Sequence, residues 1–284
     1  MSVRIGAKVP NSGPLPTEIG IAEMAGTLER AGFESLWVSD HVVLPEEIES
    51  RYPFAADGRA TWATSTPYLD AVVALALIAA ATERATFGTA VLVLPLRNPV
   101  VVAKQAASLD VVSGGRLKLG VGAGWLAEEF AALGVPFESR GTRFVEAIAT
   151  LRAAWTGQLS EGVLSLPTPA HDVPVLVGGH AKPALRRAGS IGDGWLGQQS
   201  LDAIDTAEIE AARGAIESAA RDAGRDPGAL QVVLRIVDSA GRSDEVARLL
   251  PALAAARVDE VIVDLDWSGG DHAADFERLA GAVA

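Results

Sequence analysis

The stretch "SLWVSDH" (35–41) places three apolar residues in a row, Leu36, Trp37 and Val38, and then stops in an acid and an imidazole, Asp40 and His41. An unbroken apolar run of this length is the pattern of a parallel strand covered on both faces, not of a strand with one face in water. What the two polar residues mean depends on the sheet. At the C-terminal end of a strand in a closed barrel they stand on the rim where active sites are built.

The same kind of run recurs along the chain. Strands are predicted at "VRIGAKV" (3–9), "SLWVSD" (35–40), "TFGTAV" (86–91), "RLKLGVG" (116–122), "PVLVGG" (174–179), "GWLGQ" (194–198), "QVVLRIVD" (231–238) and "EVIVDLD" (260–266). Helix signals separate them. Thr66 with Pro67, and Asn98 with Pro99, are cap-and-first-position pairs, and Gly114–Gly115 ends the second of these helices. Ser243 precedes Asp244 and Glu245 in a first turn, and Pro251 is expected to bend or shorten that helix. Eight β-then-α units predict a (β/α)8 barrel, taken as a single domain over residues 1–284, with loop excursions at its C-terminal face. The runner-up is an open doubly wound sheet. It loses ground because the first βα turn, "VPNSGPLPTEIG", has no G-x-G-x-x-G. Two excursions, 41–66 and 156–172, are longer than the rest. The first follows strand two and is a candidate pocket wall, and both are expected to shape substrate choice.

Composition narrows the partners. A formal charge of −12 gives no general attraction for nucleic acid or for anionic membranes. With no cysteine, disulfide and thiolate chemistry are excluded, which fits a cytoplasmic protein. The start "MSVRIGAKVP" has no apolar core of a signal peptide, and "AVVALALIAAA" (71–81) is too short to span a bilayer. Such an apolar helix is expected to be buried, and apolar helices that pair between barrels make a homodimer an open expectation.

The rim then supplies the candidates. His41 can give or take a proton near neutral pH, with Asp40 beside it; the plainer reading is a loop cap. "GVGAGW" (120–125) and "VGGHAKPALRR" (177–187) are glycine turns that let backbone amides approach a ligand. In the second, Gly178, Gly179 and the amides of His180 and Ala181 form a potential anion nest, with Lys182 adding charge and a phosphate as the favoured ligand. Tight turn geometry explains the same glycines. Small residues in "GTAVLVLP" (88–95) leave a flat place for a planar ring, and core packing accounts for them equally. Glu128 and Glu129 in "WLAEEF" (125–130) read as a solvated pair suited to a helix start. No metal site is expected, and no hydrolase triad or nucleophile elbow is present.

Together, "AGFESLWVSDHVVLP", the long run from "AAATERATFGTAVLVLPLRNP" through "GVGAGWLAEEF" to "LRAAWTG", and "PVLVGGHAKPALRRAGSIGDGWL" resemble the bacterial luciferase-like monooxygenase superfamily, most closely its branch dependent on coenzyme F420, a deazaflavin. The resemblance implies a (β/α)8 barrel with the cofactor ring at the C-terminal mouth, against a cis peptide at Ala90–Val91. It implies that Asp40 and His41 face the ring, with His41 moving a proton. Ala123, Gly124, Trp125, Leu126 and Glu128 would line ring and tail, and Gly178, Gly179 and His180 would bind the phosphate. Where sugar-phosphate dehydrogenases of the branch carry a Trp and a Glu, this chain has Pro45 and Trp125, which speaks against a glucose 6-phosphate substrate. The expectation is an F420-dependent oxidoreductase acting on a small molecule. The alternatives are an FMN-dependent monooxygenase of the same family and a barrel that binds cofactor without turnover.

Overall fold

The computed structural model describes residues 3–55, 57–60 and 62–282. Eight strands close on themselves: β1 (Arg4–Lys8), β2 (Ser35–Val38), β3 (Thr86–Thr89), β4 (Leu117–Gly122), β5 (Val175–Gly178), β6 (Gly194–Ser200), β7 (Gln231–Val237) and β8 (Glu260–Val263). Each pairs in parallel with the next, and β8 pairs with β1. The chain is a (β/α)8 barrel, as its eight apolar runs predicted. Every predicted strand is found, shorter at most ends and longer at β6.

Helices α1 (Ile21–Ala31), α2 (Ala71–Ala81), α3 (Pro99–Ser113), α4 (Ala127–Ala132), α5 (Arg140–Trp155), α6 (Lys182–Ser190), α7 (Thr206–Asp222), α8 (Ser243–Ala255) and α9 (His272–Gly281) connect the strands. Asn98 caps α3 through its side chain, Pro99 opens it, and Gly114 closes it in the left-handed conformation, all as expected. Helix α2 starts later than Thr66 and Pro67 suggested. Asp70 is its cap, because its carboxylate accepts from the amides of Val72 and Val73. Pro251 lies inside α8 without ending it. Residues 71–81 are not wholly buried: Val73 and Leu77 of α2 face outward, as do Val101 and Val112 of α3. Among the described residues no helix is long and apolar enough to cross a membrane.

The barrel interior is layered. At its N-terminal end Glu260, fully out of water, pairs with Lys118 at 2.6 Å and Arg4 at 3.0 Å. It also accepts from Ser35 Oγ at 2.5 Å and Trp37 Nε1 at 3.0 Å. Burial holds the Lys118 amine below its ordinary range, and Glu260 opposes that shift. Above this cluster Trp37, Ala90, Leu176, Leu196, Val233 and Ile262 form an apolar plug. Strands β3 and β4 approach closely because Gly120 has no side chain; a Cβ there would lie 2.0 Å from the Thr89 carbonyl oxygen. The plug is the floor on which the C-terminal mouth rests.

Removing one member of a buried ion pair leaves the other uncompensated. Glu260→Ala is expected to cost about 3–5 kcal/mol in urea unfolding. The double change Glu260→Leu with Lys118→Met should recover most of that loss, and equal instability of single and double variants would contradict the assignment.

Candidate active site

A cavity of about 1050 Å3 opens at the C-terminal ends of the strands. Its wall begins where β2 stops. Asn11, buried in the loop after β1, donates to the carbonyls of Ser39 and Leu69 and accepts from the Ser39 amide. This fixes the backbone just ahead of Asp40 and His41. The two residues then diverge. Asp40, expected to face a ring, borders the cavity, but its carboxylate is held by Arg97 at 2.6 Å and by the Val93 amide at 3.0 Å. Burial pushes its pKa up, while Arg97 and the Val93 amide oppose the rise. Arg97 also reaches Asp70 at 2.9 Å. Asp40 therefore braces the segment after β3 instead of presenting a free carboxylate.

His41 does face the cavity, 11% exposed, with Nδ1 3.1 Å from Glu129 Oε2. Glu129 is buried and accepts from the amides of Val42 at 2.6 Å and Val43 at 3.3 Å. The expected solvated Glu128–Glu129 pair is thus corrected on both members. Glu128 accepts from the amides of Glu49 and Ser50 and from Ser50 Oγ. Those bonds outweigh its desolvation and draw its pKa down to about 2. Both acids anchor the 41–66 excursion onto α4. Consequently Glu128 does not line the cavity, and neither does Leu126, whose side chain is buried in the core. Ala123, Gly124 and Trp125 do line it. Gly124 is needed there: its φ is +85°, and a Cβ would meet Phe130 at 2.6 Å.

The 41–66 excursion forms an aromatic wall. Trp62 stands 6.2 Å from His41 and 6.2 Å from Trp125, and Tyr52 packs 5.0 Å from Trp62 and 5.1 Å from Trp125. Gln198 on β6 donates to the Tyr52 hydroxyl, which ties this wall across the mouth. The second excursion takes no part. Its Gln158–Ser160 and Val163–Leu164 strands form an exposed hairpin whose residues do not line the cavity.

At the end of β3, the strand next to the one that carries His41, the peptide between Ala90 and Val91 is cis, and both residues line the cavity. Val91 lies over glycines: a Cβ on Gly122 or on Gly178 would come within 2.7 Å of it. Gly178, Gly179 and His180 line the far rim, with Ala181 capping α6. His180 is fixed by Glu208 at 3.3 Å and accepts from the Gln198 amide at 3.0 Å. Lys182, expected to add charge, points to solvent and is not in the wall. Arg140 and Arg187 supply that charge instead. Gly141 makes room for Arg187, since a Cβ there would meet an Arg187 nitrogen at 2.6 Å. Burial and the neighbouring Arg140 hold the Arg187 guanidinium below its ordinary pKa.

The floor between β1 and β7 also escaped the sequence reading. Lys8, Tyr68 and Arg235 line it. Tyr68 packs 5.4 Å from His41, and burial raises its pKa. The Lys8 amine is lowered to about 8, first by burial and then by Arg235, with Asp264 opposing. One signal was available: Lys8 and Arg235 are each a charge set between two apolar neighbours.

The model of the family described as luciferase-like monooxygenase matches residues 7–281. The chain belongs to this family. An uncharacterised protein of Mycobacterium tuberculosis is 38% identical over 182 residues, which is 61% of this chain and 63% of that protein. The match therefore spans less than two thirds of that relative's length. An F420-dependent glucose-6-phosphate dehydrogenase of Beutenbergia cavernae is 35% identical over 181 residues, 59% of this chain and 49% of the relative. Among solved structures, an F420-dependent secondary alcohol dehydrogenase in complex with an F420–acetone adduct superposes with a TM-score of 0.77 at 18% identity, over the whole of both chains. That likeness is one of fold. Among the described residues no group of three or more His, Cys, Asp or Glu is placed to hold a metal ion.

Because the Lys8 pKa in the folded chain lies below its ordinary 10.5, the unfolded chain binds more protons between about pH 8 and 10.5. Stability should rise with pH across that window, by at most about 3 kcal/mol. Lys8→Met should raise stability at pH 7 and flatten the rise, as read by urea unfolding at pH 7, 9 and 10. A rise that persists in the variant would place its origin elsewhere.

Proposed function

We propose that this luciferase-like barrel is an F420-dependent oxidoreductase acting on a small organic molecule. The observation that carries the reading is the pairing of two features across one cavity: a carboxylate-held imidazole on one side, and a glycine rim with two guanidiniums on the other. The first suits proton movement and the second suits a phosphate group. The F420 dependence of the Beutenbergia cavernae relative supports this choice over FMN.

The residues fit such a group. Gly122 and Gly178 give the Val91 side chain room to lie against the backbone, so that Ala90 and Val91 present a small-sided platform to the cavity. The backbone at Gly178, Gly179 and His180, with Arg187 and Arg140 above it, would hold the phosphate. A bound deazaflavin supplies a ring carbon that exchanges hydride with a substrate carbon. The chain supplies the rest. Glu129 accepts from His41 Nδ1–H and sets the ring's orientation, which leaves Nε2 to carry the proton that accompanies the hydride. Trp62, Trp125 and Tyr52 exclude water above the reacting atoms. Asp40 acts at one remove, by holding the segment that carries Ala90 and Val91.

Fluorescence titration should give micromolar or tighter binding of F420 and much weaker binding of FMN. His41→Ala should leave F420 affinity within a few fold and lower turnover about 10²- to 10⁴-fold. Preference for FMN would redirect the assignment to oxygen-dependent chemistry, and undiminished turnover in His41→Ala would remove that residue's role.

A further inference from the structure

The chain carries a net charge of −12, yet its cavity is lined by five basic residues and only two acidic ones. One of those acids, Asp40, is already neutralised by Arg97. Arg51 lies on the 41–66 excursion, and the other four cations fall in two groups. Arg140 and Arg187 stand with Gly179 and His180 on the β4–β5 side of the mouth. Lys8 ends β1 and Arg235 lies on β7, which places them on the opposite side of the closed barrel. A single phosphate at the glycine rim accounts for the first group and leaves the second without a function.

The second group is incompletely satisfied by the protein. Arg235 makes two long contacts, to Ser39 Oγ at 3.4 Å and to Asp264 at 3.5 Å, and its buried Nε has no partner among the described residues. Lys8 stands beside it with the same sign of charge. Two cations against one carboxylate leave one positive charge on a largely dehydrated floor. Charge is seldom kept in such a place without a partner. The floor also adjoins His41, through the Tyr68 ring packed against the imidazole.

We infer that Lys8 and Arg235 form an anion subsite that takes the carboxylate of a small organic-acid substrate, with the reacting carbon directed towards His41. This rests on reading the glycine rim as the place of the cofactor's phosphate. A single carboxylate matches the one uncompensated charge, whereas a phosphate dianion would set a second negative charge against Asp264. The guanidinium offers the planar fork, and the ammonium a point charge beside it. The substrate's neutral ester or amide would leave the surplus positive charge unpaired and is rejected on that ground.

The test is calorimetry and thermal shift on the F420-saturated protein. The probes are pyruvate, 2-oxoglutarate and benzoate, with their methyl esters and inorganic phosphate for contrast. At least one carboxylate should bind and raise the melting temperature, and its ester should not. Lys8→Met should weaken that binding by at least about tenfold while F420 affinity stays within about twofold. Lys8→Arg, which keeps the charge, should retain it. Arg187→Gln should weaken F420 and spare the carboxylate. The inference is overturned if no carboxylate binds, if the esters or phosphate bind as well, or if Lys8→Met leaves carboxylate affinity unchanged. It is equally overturned if Lys8→Met weakens F420 itself, since the floor would then serve the cofactor. Failure of the wild-type protein to bind F420 would sink the reading of the rim alone. The Lys8 contrast would then be decided on the free protein.

Discussion

Glu129 holds the mouth of this barrel in its working shape. A carboxylate taken out of water must find enough donors to replace its hydration. Here the donors are the His41 ring and the amides of Val42 and Val43, all from the segment leaving β2. One buried charge therefore orients the imidazole, turns the chain away from the strand and pins the start of the aromatic wall. Glu128 repeats the device one residue earlier, on Ser50. The two neighbouring acids of α4 convert a long, otherwise irregular excursion into a fixed boundary of the cavity.

The same logic of charge placed and compensated divides the barrel along its axis. At the N-terminal end Glu260 is matched by Lys118, Arg4 and two neutral donors, and nothing is left over for a ligand. On the C-terminal side Arg97 is shared between Asp40 and Asp70 and is likewise spent on structure. Arg140, Arg187, Lys8 and Arg235 are different. Their charges are only partly met by the protein, they border open space, and the Lys8 charge weighs against folding because it is buried. Protein groups that cost stability and face a cavity are candidates for function.

Much of this was legible in the chain. Parallel strands buried on both faces write themselves as apolar runs, so the eight strands and their closure could be read directly, as could the rim position of His41 and the glycine turns. What could not be read were pairings set by three-dimensional closure. Glu129 and His41 are 88 residues apart, and a Glu pair at a helix start looks the same whether it faces water or a loop packed against it. Leu126 was expected in the cavity wall, but the turn at Gly124 sends its side chain into the core. Lys182 lies in the glycine motif and faces solvent, whereas Arg187, one and a half helical turns later, reaches the cavity. Lys8 and Arg235 appear in the sequence as isolated charges, and only strand order shows that β1 and β7 flank β8 and bring them to one floor.

The mouth is proposed to hold a ring cofactor by its phosphate on the glycine rim, with its reacting face next to His41. A crystal structure of the protein grown with F420 tests it most directly. The ring should lie against Ala90–Val91, with the phosphate on the amides of Gly179 and His180 within reach of Arg187 and the Lys8–Arg235 floor left open beside the ring. A phosphate seated on Lys8 and Arg235, or a ring outside the aromatic wall, would contradict it.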